Sequence, residues 1–236
     1  MIRAEHIGNA TLCLGDCAQV LPAIKTGRPD DCTIVTDPPY EFNNSGGGKF
    51  RRSRYGSNAI TQAGLDKGFD MRLINKDRAS SAVVFCHNDQ VSELMDHMRS
   101  QYSRVVLLSW HKTNPTPFAN RNYQADTEFF IHGWNHGHHP QGDLPDLKRH
   151  ITTSVQRSQW KHPTIKPLAV MHKIIRNVAG HTIIDPFMGS GSTGIAALAA
   201  GKKFIGIERN EQWFNMAVER LRAEATLLQP TTYAEV

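Results

Sequence analysis

Thr33-Ile34-Val35-Thr36-Asp37-Pro38-Pro39-Tyr40 is a β-branched apolar run that two prolines bring to a stop. Such a run reads as a buried strand, because consecutive prolines cannot continue a ladder. Asp37 then stands at the strand's C-terminal lip, the edge where open α/β sheets collect their ligands. The prolines fix the backbone and lack N–H groups, which leaves their carbonyls available to a ligand. Tyr40 adds a flat stacking face. An acceptor carboxylate, a fixed carbonyl and an aromatic lid suit an amino group on a planar heterocycle. A capping Asp before a rigid turn is the plainer reading, and it leaves Tyr40 and the second proline without a role.

A second strand end lies far downstream. Ile183-Ile184-Asp185 runs into Pro186-Phe187-Met188-Gly189-Ser190-Gly191-Ser192-Thr193, and a small-residue helix is expected from Gly191 to Ala200. The glycines are expected to let backbone approach a ligand. Lys203-Phe204-Ile205-Gly206-Ile207-Glu208 follows as a strand ending in a carboxylate. An acid at that tip is suited to two ribose hydroxyls, and it should carry little core packing. Gly189 to Gly194 also fits the G-x-G-x-x-G dinucleotide fingerprint, which raises an NAD-linked oxidoreductase as a rival. A dehydrogenase leads with this unit, whereas here most of the sheet has to come from earlier residues. That reading also leaves Asp37-Pro38-Pro39-Tyr40 unexplained.

Asp37-Pro38-Pro39-Tyr40 resembles the catalytic motif of amino-group DNA methyltransferases, and Asp185 to Thr193 resembles their cofactor loop. The catalytic motif comes first, which is the order of the permuted β group. The resemblance implies an α/β, doubly wound, mostly parallel sheet with one antiparallel edge strand, a permuted Rossmann-like methyltransferase fold. It implies S-adenosyl-L-methionine as cofactor and DNA as partner, with a homodimer compatible. It also implies catalytic roles for Asp37, Pro38, Pro39 and Tyr40. Cofactor contacts are implied for Asp16, for His162, Thr164 and Lys166 of the His162-Pro163-Thr164-Ile165-Lys166-Pro167 segment, and for Asp185, Phe187, Gly189, Ser190, Gly191, Ser192, Thr193 and Glu208. In that family Asp at the first motif position goes mostly with adenine N6, and cytosine N4 is the alternative. Asp16 has a structural reading too, as the N-cap of a helix from Cys17 to Lys25.

The 236 residues are expected to form one catalytic domain, 1–236, with a short target-recognition insertion at about 133–161. A net charge of +5 suits a polyanionic partner. Two segments carry the basic residues. Lys49, Arg51, Arg52 and Arg54 interleave with Phe50 and Tyr55 after a triple glycine, which suits phosphate contact and base stacking. From Leu147 to Ile184 there is no acid, and Lys148, Arg149, Arg157, Lys161, Lys166, Lys173 and Arg176 fall inside. That stretch reads as a nucleic-acid surface.

Thr127 to Ile131 is expected to hairpin back on the Arg104–Trp110 strand as an antiparallel edge. His132, His136, His138 and His139 cluster without tight ligand spacing, so no metal site is assigned. Cys13, Cys17, Cys32 and Cys86 form no CxxC pair and read as reduced core thiols of a cytoplasmic protein. No signal-peptide core or run of about 18 apolar residues is present, so no membrane span is expected.

Overall fold

The computed structural model describes residues 3–40, 68–115, 123–155 and 165–227. Among them are nine strands: β1 Arg3–Ile7, β2 Ala10–Leu14, β3 Cys32–Thr36, β4 Ser81–Cys86, β5 Arg104–Lys112, β6 Thr127–Trp134, β7 His150–Thr153, β8 Thr182–Asp185 and β9 Lys203–Glu208. Five α-helices accompany them: α1 Cys17–Ala23, α2 Val91–Gln101, α3 Leu168–Asn177, α4 Ser192–Ala199 and α5 Glu211–Leu227. The strands form one sheet in the order β1-β2-β9-β8-β3-β4-β6-β5-β7.

The expected strand of Thr33–Thr36 is β3, and every residue of it is buried. Successive side chains point to opposite faces and meet different cores. Val35 packs with Val170, Ile174, Ile195 and Phe214 of α3, α4 and α5, while Ile34 packs with Val20 of α1 and Leu94 and Met98 of α2. Ile183 and Ile184 divide the same way on β8. Helices therefore cover both faces, which is why these strands read as unbroken apolar runs.

β3 pairs in parallel with β8 on one side and β4 on the other. From this pair the chain builds outward in both directions, to β4 after β3 and to β9 after β8. The reversal between β3 and β8 opens a crevice at their C-terminal ends, the place such sheets bind ligands.

β1 and β6 run against the other strands. The antiparallel edge is β1, joined to β2 by the two-residue turn Gly8-Asn9, with Gly8 at φ 54°. The expected hairpin of β5 and β6 forms, yet β6 inserts between β4 and β5 and so lies inside the sheet. β7 occupies the segment read as a polar insertion and pairs in parallel with β5, Ser109 opposite His150. Among the described residues no helix is long and apolar enough to cross a membrane.

Candidate active site

The crevice is lined from both halves of the chain. Asp37 and Pro39 follow β3, Asp185 to Gly189 with Ser190, Ser192 and Thr193 follow β8, and Glu208 ends β9. Gly15, Asp16 and Cys17 close one side, and Phe69, Leu73 and Lys166 another. A buried hydrogen bond ties the two strand ends together, from Thr36 Oγ1 to Asp185 Oδ1 at 2.7 Å.

Asp37 is engaged on both oxygens. The Tyr40 hydroxyl donates to Oδ1 at 2.5 Å, and the Lys166 ammonium donates to Oδ2 at 2.5 Å. Lys166 is therefore bound to the Asp-Pro-Pro-Tyr corner, although it also lines the crevice expected to hold the cofactor. Its Nζ lies 3.0 Å from Glu128 Oε2 on β6, and Glu128 Oε1 meets Lys112 Nζ of β5 at 2.8 Å. The same ammonium sits 4.8 Å from the Phe85 ring centre, a favourable cation–π distance.

Two carboxylates and two ammonium groups thus alternate in a largely buried row. Burial pushes the Asp37 carboxyl up, Lys166 pulls it back and Glu128 adds to the rise, leaving it above the ordinary range. Burial also pushes Glu128 up, but Lys166 and Lys112 outweigh it and hold this group at about 2. For Lys166 the burial cost is overcome by Asp37 and Glu128, so it stays an ammonium. Burial together with the Asp37 and Glu128 charges keeps the Tyr40 phenol protonated.

The Asp185 carboxylate is 2% exposed. It accepts from Thr36 and from the Phe187 N–H at 3.1 Å, and burial raises its pKa to about 6. These bonds tie the loop to the end of β3, and Asp185 also lines the crevice. Glu208 is more embedded than a strand-tip acid was expected to be. Its Oε2 accepts from Gly189 N–H at 3.0 Å and its Oε1 from Asn210 N–H at 2.7 Å. Each oxygen keeps one lone-pair site, enough for a pair of vicinal hydroxyls.

Asp16 caps α1, accepting from Ala18 N–H at 2.8 Å, and also lines the crevice. Both of its expected roles are therefore sterically compatible. Gly191 does not face the ligand space. It adopts φ +80°, its N–H is spent on Met188 O at 2.8 Å, and a Cβ there would lie 2.7 Å from Leu221. The small residue is required by the packing of α5. Pro38 is buried beside the crevice, and Tyr40 packs against the core rather than into the opening.

His162 and Thr164 lie outside the described residues, as do Lys49, Arg51, Arg52, Arg54, Arg157 and Lys161. Lys148 and Arg149 are exposed just before β7. The acid-free stretch does not form a uniform surface. Lys166 is buried, and the Lys173 ammonium turns inward to Asp146 O at 2.7 Å and Asn177 Oδ1 at 2.9 Å. Among the histidines, His132 is buried against Ser81 while His138 Nε2 lies 2.8 Å from Asp30 O.

Sequence reading missed several participants. Glu128 lies on an expected strand to which the sequence assigns no role, and the available signal is a charge directly before the apolar run Phe129-Phe130-Ile131. Phe69 packs edge-on against Phe187 with ring centres 5.6 Å apart, forming an apolar wall of the crevice. Arg220 of α5 is buried and clamps the loop through Ser190 O and Ser190 Oγ, at 2.5 and 2.8 Å. Nothing in the local sequence distinguishes either residue.

The sheet is doubly wound and Rossmann-like, and its crevice joins an Asp-Pro-Pro-Tyr corner to a Gly-rich loop and a strand-tip acid. The chain belongs to the DNA methylase family, whose N6/N4 family model matches residues 32–219. It is 40% identical to the type II methyltransferase M.HinfI of Haemophilus influenzae, over 90% of this chain and 68% of that protein. The DNA adenine methyltransferase YhdJ of Escherichia coli is 47% identical across 50% of this chain and 35% of its own length. The crystal structure of the M1.HpyAVI–SAM complex superposes with a TM-score of 0.67 at 23% identity, covering 90% of this chain and 99% of that one.

Proposed function

We propose that this chain methylates the N6 amine of adenine in DNA, using S-adenosyl-L-methionine. The observation that carries the reading is the pairing of β3 with β8, which brings Asp37 and the Asp185–Thr193 loop into one crevice.

The donor set fits a nucleoside cofactor. Glu208 retains acceptor sites for ribose hydroxyls, and Phe187, Phe69, Leu73 and Ile207 supply apolar surface for a planar base. When bound, the cofactor supplies a methyl group already activated on a sulfonium. The protein's task is to prepare the amine. Its lone pair is delocalised into the ring, and hydrogen bonds from its two N–H groups to the Asp37 carboxylate and the Pro38 carbonyl favour a tetrahedral nitrogen. Orientation alone is worth up to about 7–11 kcal/mol in well-aligned systems. The amine of a stacked base is out of reach, so the base is flipped or single-stranded, and Tyr40 has to turn from the core toward the opening to stack on it.

DNA contacts are assigned to Lys148 and Arg149 near β7, and to Lys49, Arg51, Arg52, Arg54, Arg157 and Lys161. The target-recognition role is assigned to the segment at about 133–161. Transfer of labelled methyl from S-adenosyl-L-methionine to DNA is the test. Wild type should transfer label and a folded Asp37→Ala variant should not. Full transfer by Asp37→Ala would reject the assignment of the acceptor.

A further inference from the structure

An amine that donates to Asp37 meets oxygens that are each half spent, because Tyr40 donates to Oδ1 and Lys166 to Oδ2, leaving one lone-pair site apiece. Lys166 has somewhere to go. Glu128 Oε2 is 3.0 Å from its Nζ, within ion-pair range, yet this buried oxygen has no hydrogen-bond donor in line with it. The other oxygen of Glu128 is taken by Lys112. One carboxylate oxygen is therefore ion-paired with the ammonium but poorly aligned with its N–H groups, so a better-directed hydrogen bond is available to it.

Building on the proposed adenine methylation, we propose that docking of the target amine hands Lys166 from Asp37 to Glu128, making Glu128 a positioning residue for the transfer. The ammonium needs only to redirect its N–H groups toward an oxygen it already approaches. Asp37 Oδ2 then has both lone-pair sites open to the amine, with no ammonium competing for its charge. The row Asp37, Lys166, Glu128 and Lys112 keeps zero net charge before and after, and Asp37 exchanges the ammonium's hydrogen bond for one from the amine while keeping that of Tyr40. Glu128 stays ionised to receive the ammonium because its two lysines hold its pKa at about 2. The other titratable groups near Asp37 are Tyr40, Cys86 and Asp185, with His87 stacked obliquely 6.5 Å from the Tyr40 ring.

Glu128→Gln keeps the shape and one oxygen but loses the charge. Single-turnover methyl transfer should fall about 10- to 100-fold, the size of one charge-assisted hydrogen bond. Cofactor affinity by calorimetry should be unchanged. The acid limb of the pH–rate profile should move to lower pH in Glu128→Gln, which removes a charge that raises Asp37. It should move to higher pH in Lys166→Met, which removes the charge that lowers it. Glu128→Asp keeps the charge, and with it the balance of the row, but withdraws the oxygen by one methylene. It should lose rate with the acid limb in place.

Transfer by Glu128→Gln and Glu128→Asp at the wild-type rate would overturn the hand-off, as would acid limbs that move together in Glu128→Gln and Lys166→Met. A wild type that transfers no methyl group to DNA or RNA of mixed sequence would overturn the functional reading and the hand-off with it. An active wild type beside unaffected Glu128 variants would overturn the hand-off alone.

Discussion

Replacing Lys166 with Met removes one cation from between two buried carboxylates while keeping an apolar stem over Phe85. The Lys166 side chain is 9% exposed, Asp37 21% and Glu128 23%. Breaking a buried pair from one side costs about 3–5 kcal/mol, and the partial exposure of the two acids places this case near about 3 kcal/mol at pH 8. Glu128 gives a second measure of the same field. Its drop from 4.5 to about 2, with burial acting in the opposite direction, corresponds to a net of about 3 kcal/mol from Lys166 and Lys112 together.

The sign of the pH dependence follows from the two acids. A depressed Glu128 stabilises wild type above its unfolded pKa, and that stability is lost as pH falls through about 2. In Lys166→Met, burial and Glu128 still push Asp37 up and nothing on Lys166 opposes them. Asp37 then protonates in the folded state at a pH where the unfolded chain is still ionised, which relieves the penalty as pH falls. The deficit should therefore be largest at pH 8 and shrink toward pH 5.5, by at most about 1.4 kcal/mol per pH unit for one extra proton. Urea unfolding followed by tryptophan fluorescence measures it. A deficit under about 1 kcal/mol, or one that does not change between these pH values, would refute the charge balance assigned to Lys166.

Gly191→Ala should destabilise the protein by about 2 kcal/mol or more, since a left-handed conformation costs about 1–2 kcal/mol outside glycine and the added methyl overlaps Leu221. Thermal unfolding reads this, and cofactor affinity should fall as the loop shifts. Replacing Lys148 and Arg149 with Ala should reduce the slope of log K against log salt for duplex DNA by up to about 1.8, two phosphate contacts at about 0.9 each. An unchanged slope would take both residues off the phosphate path.

The central fold was legible because its strands are covered on both faces. Ile34 and Val35, like Ile183 and Ile184, had to be apolar on either side, and the prolines and glycines after them mark where each strand stops. β1 was not legible. Arg3-Ala4-Glu5-His6-Ile7 lies at the edge with little to bury, and its only local sign is the Gly8-Asn9 turn. β7 was hidden for the same reason, because its residues alternate between exposed and partly exposed positions.

At the site, residues in short motifs could be found, but partnerships between distant strands could not. Lys166 and Asp37 are 129 positions apart, and only the folded sheet shows that the lysine neutralises the acid. Glu208 illustrates the converse. Its place at a strand tip was readable, whereas its bonds to Gly189 and Asn210 depend on how the loop and α5 return to β9.

The most direct test of the account is the identity of the nucleoside formed. DNA incubated with the protein and S-adenosyl-L-methionine is digested to nucleosides and analysed by mass spectrometry. N6-methyladenine, absent with Asp37→Ala, is the predicted result. N4-methylcytosine without N6-methyladenine would contradict the choice of base, and no methylated nucleoside from DNA of varied sequence would contradict the enzyme assignment itself.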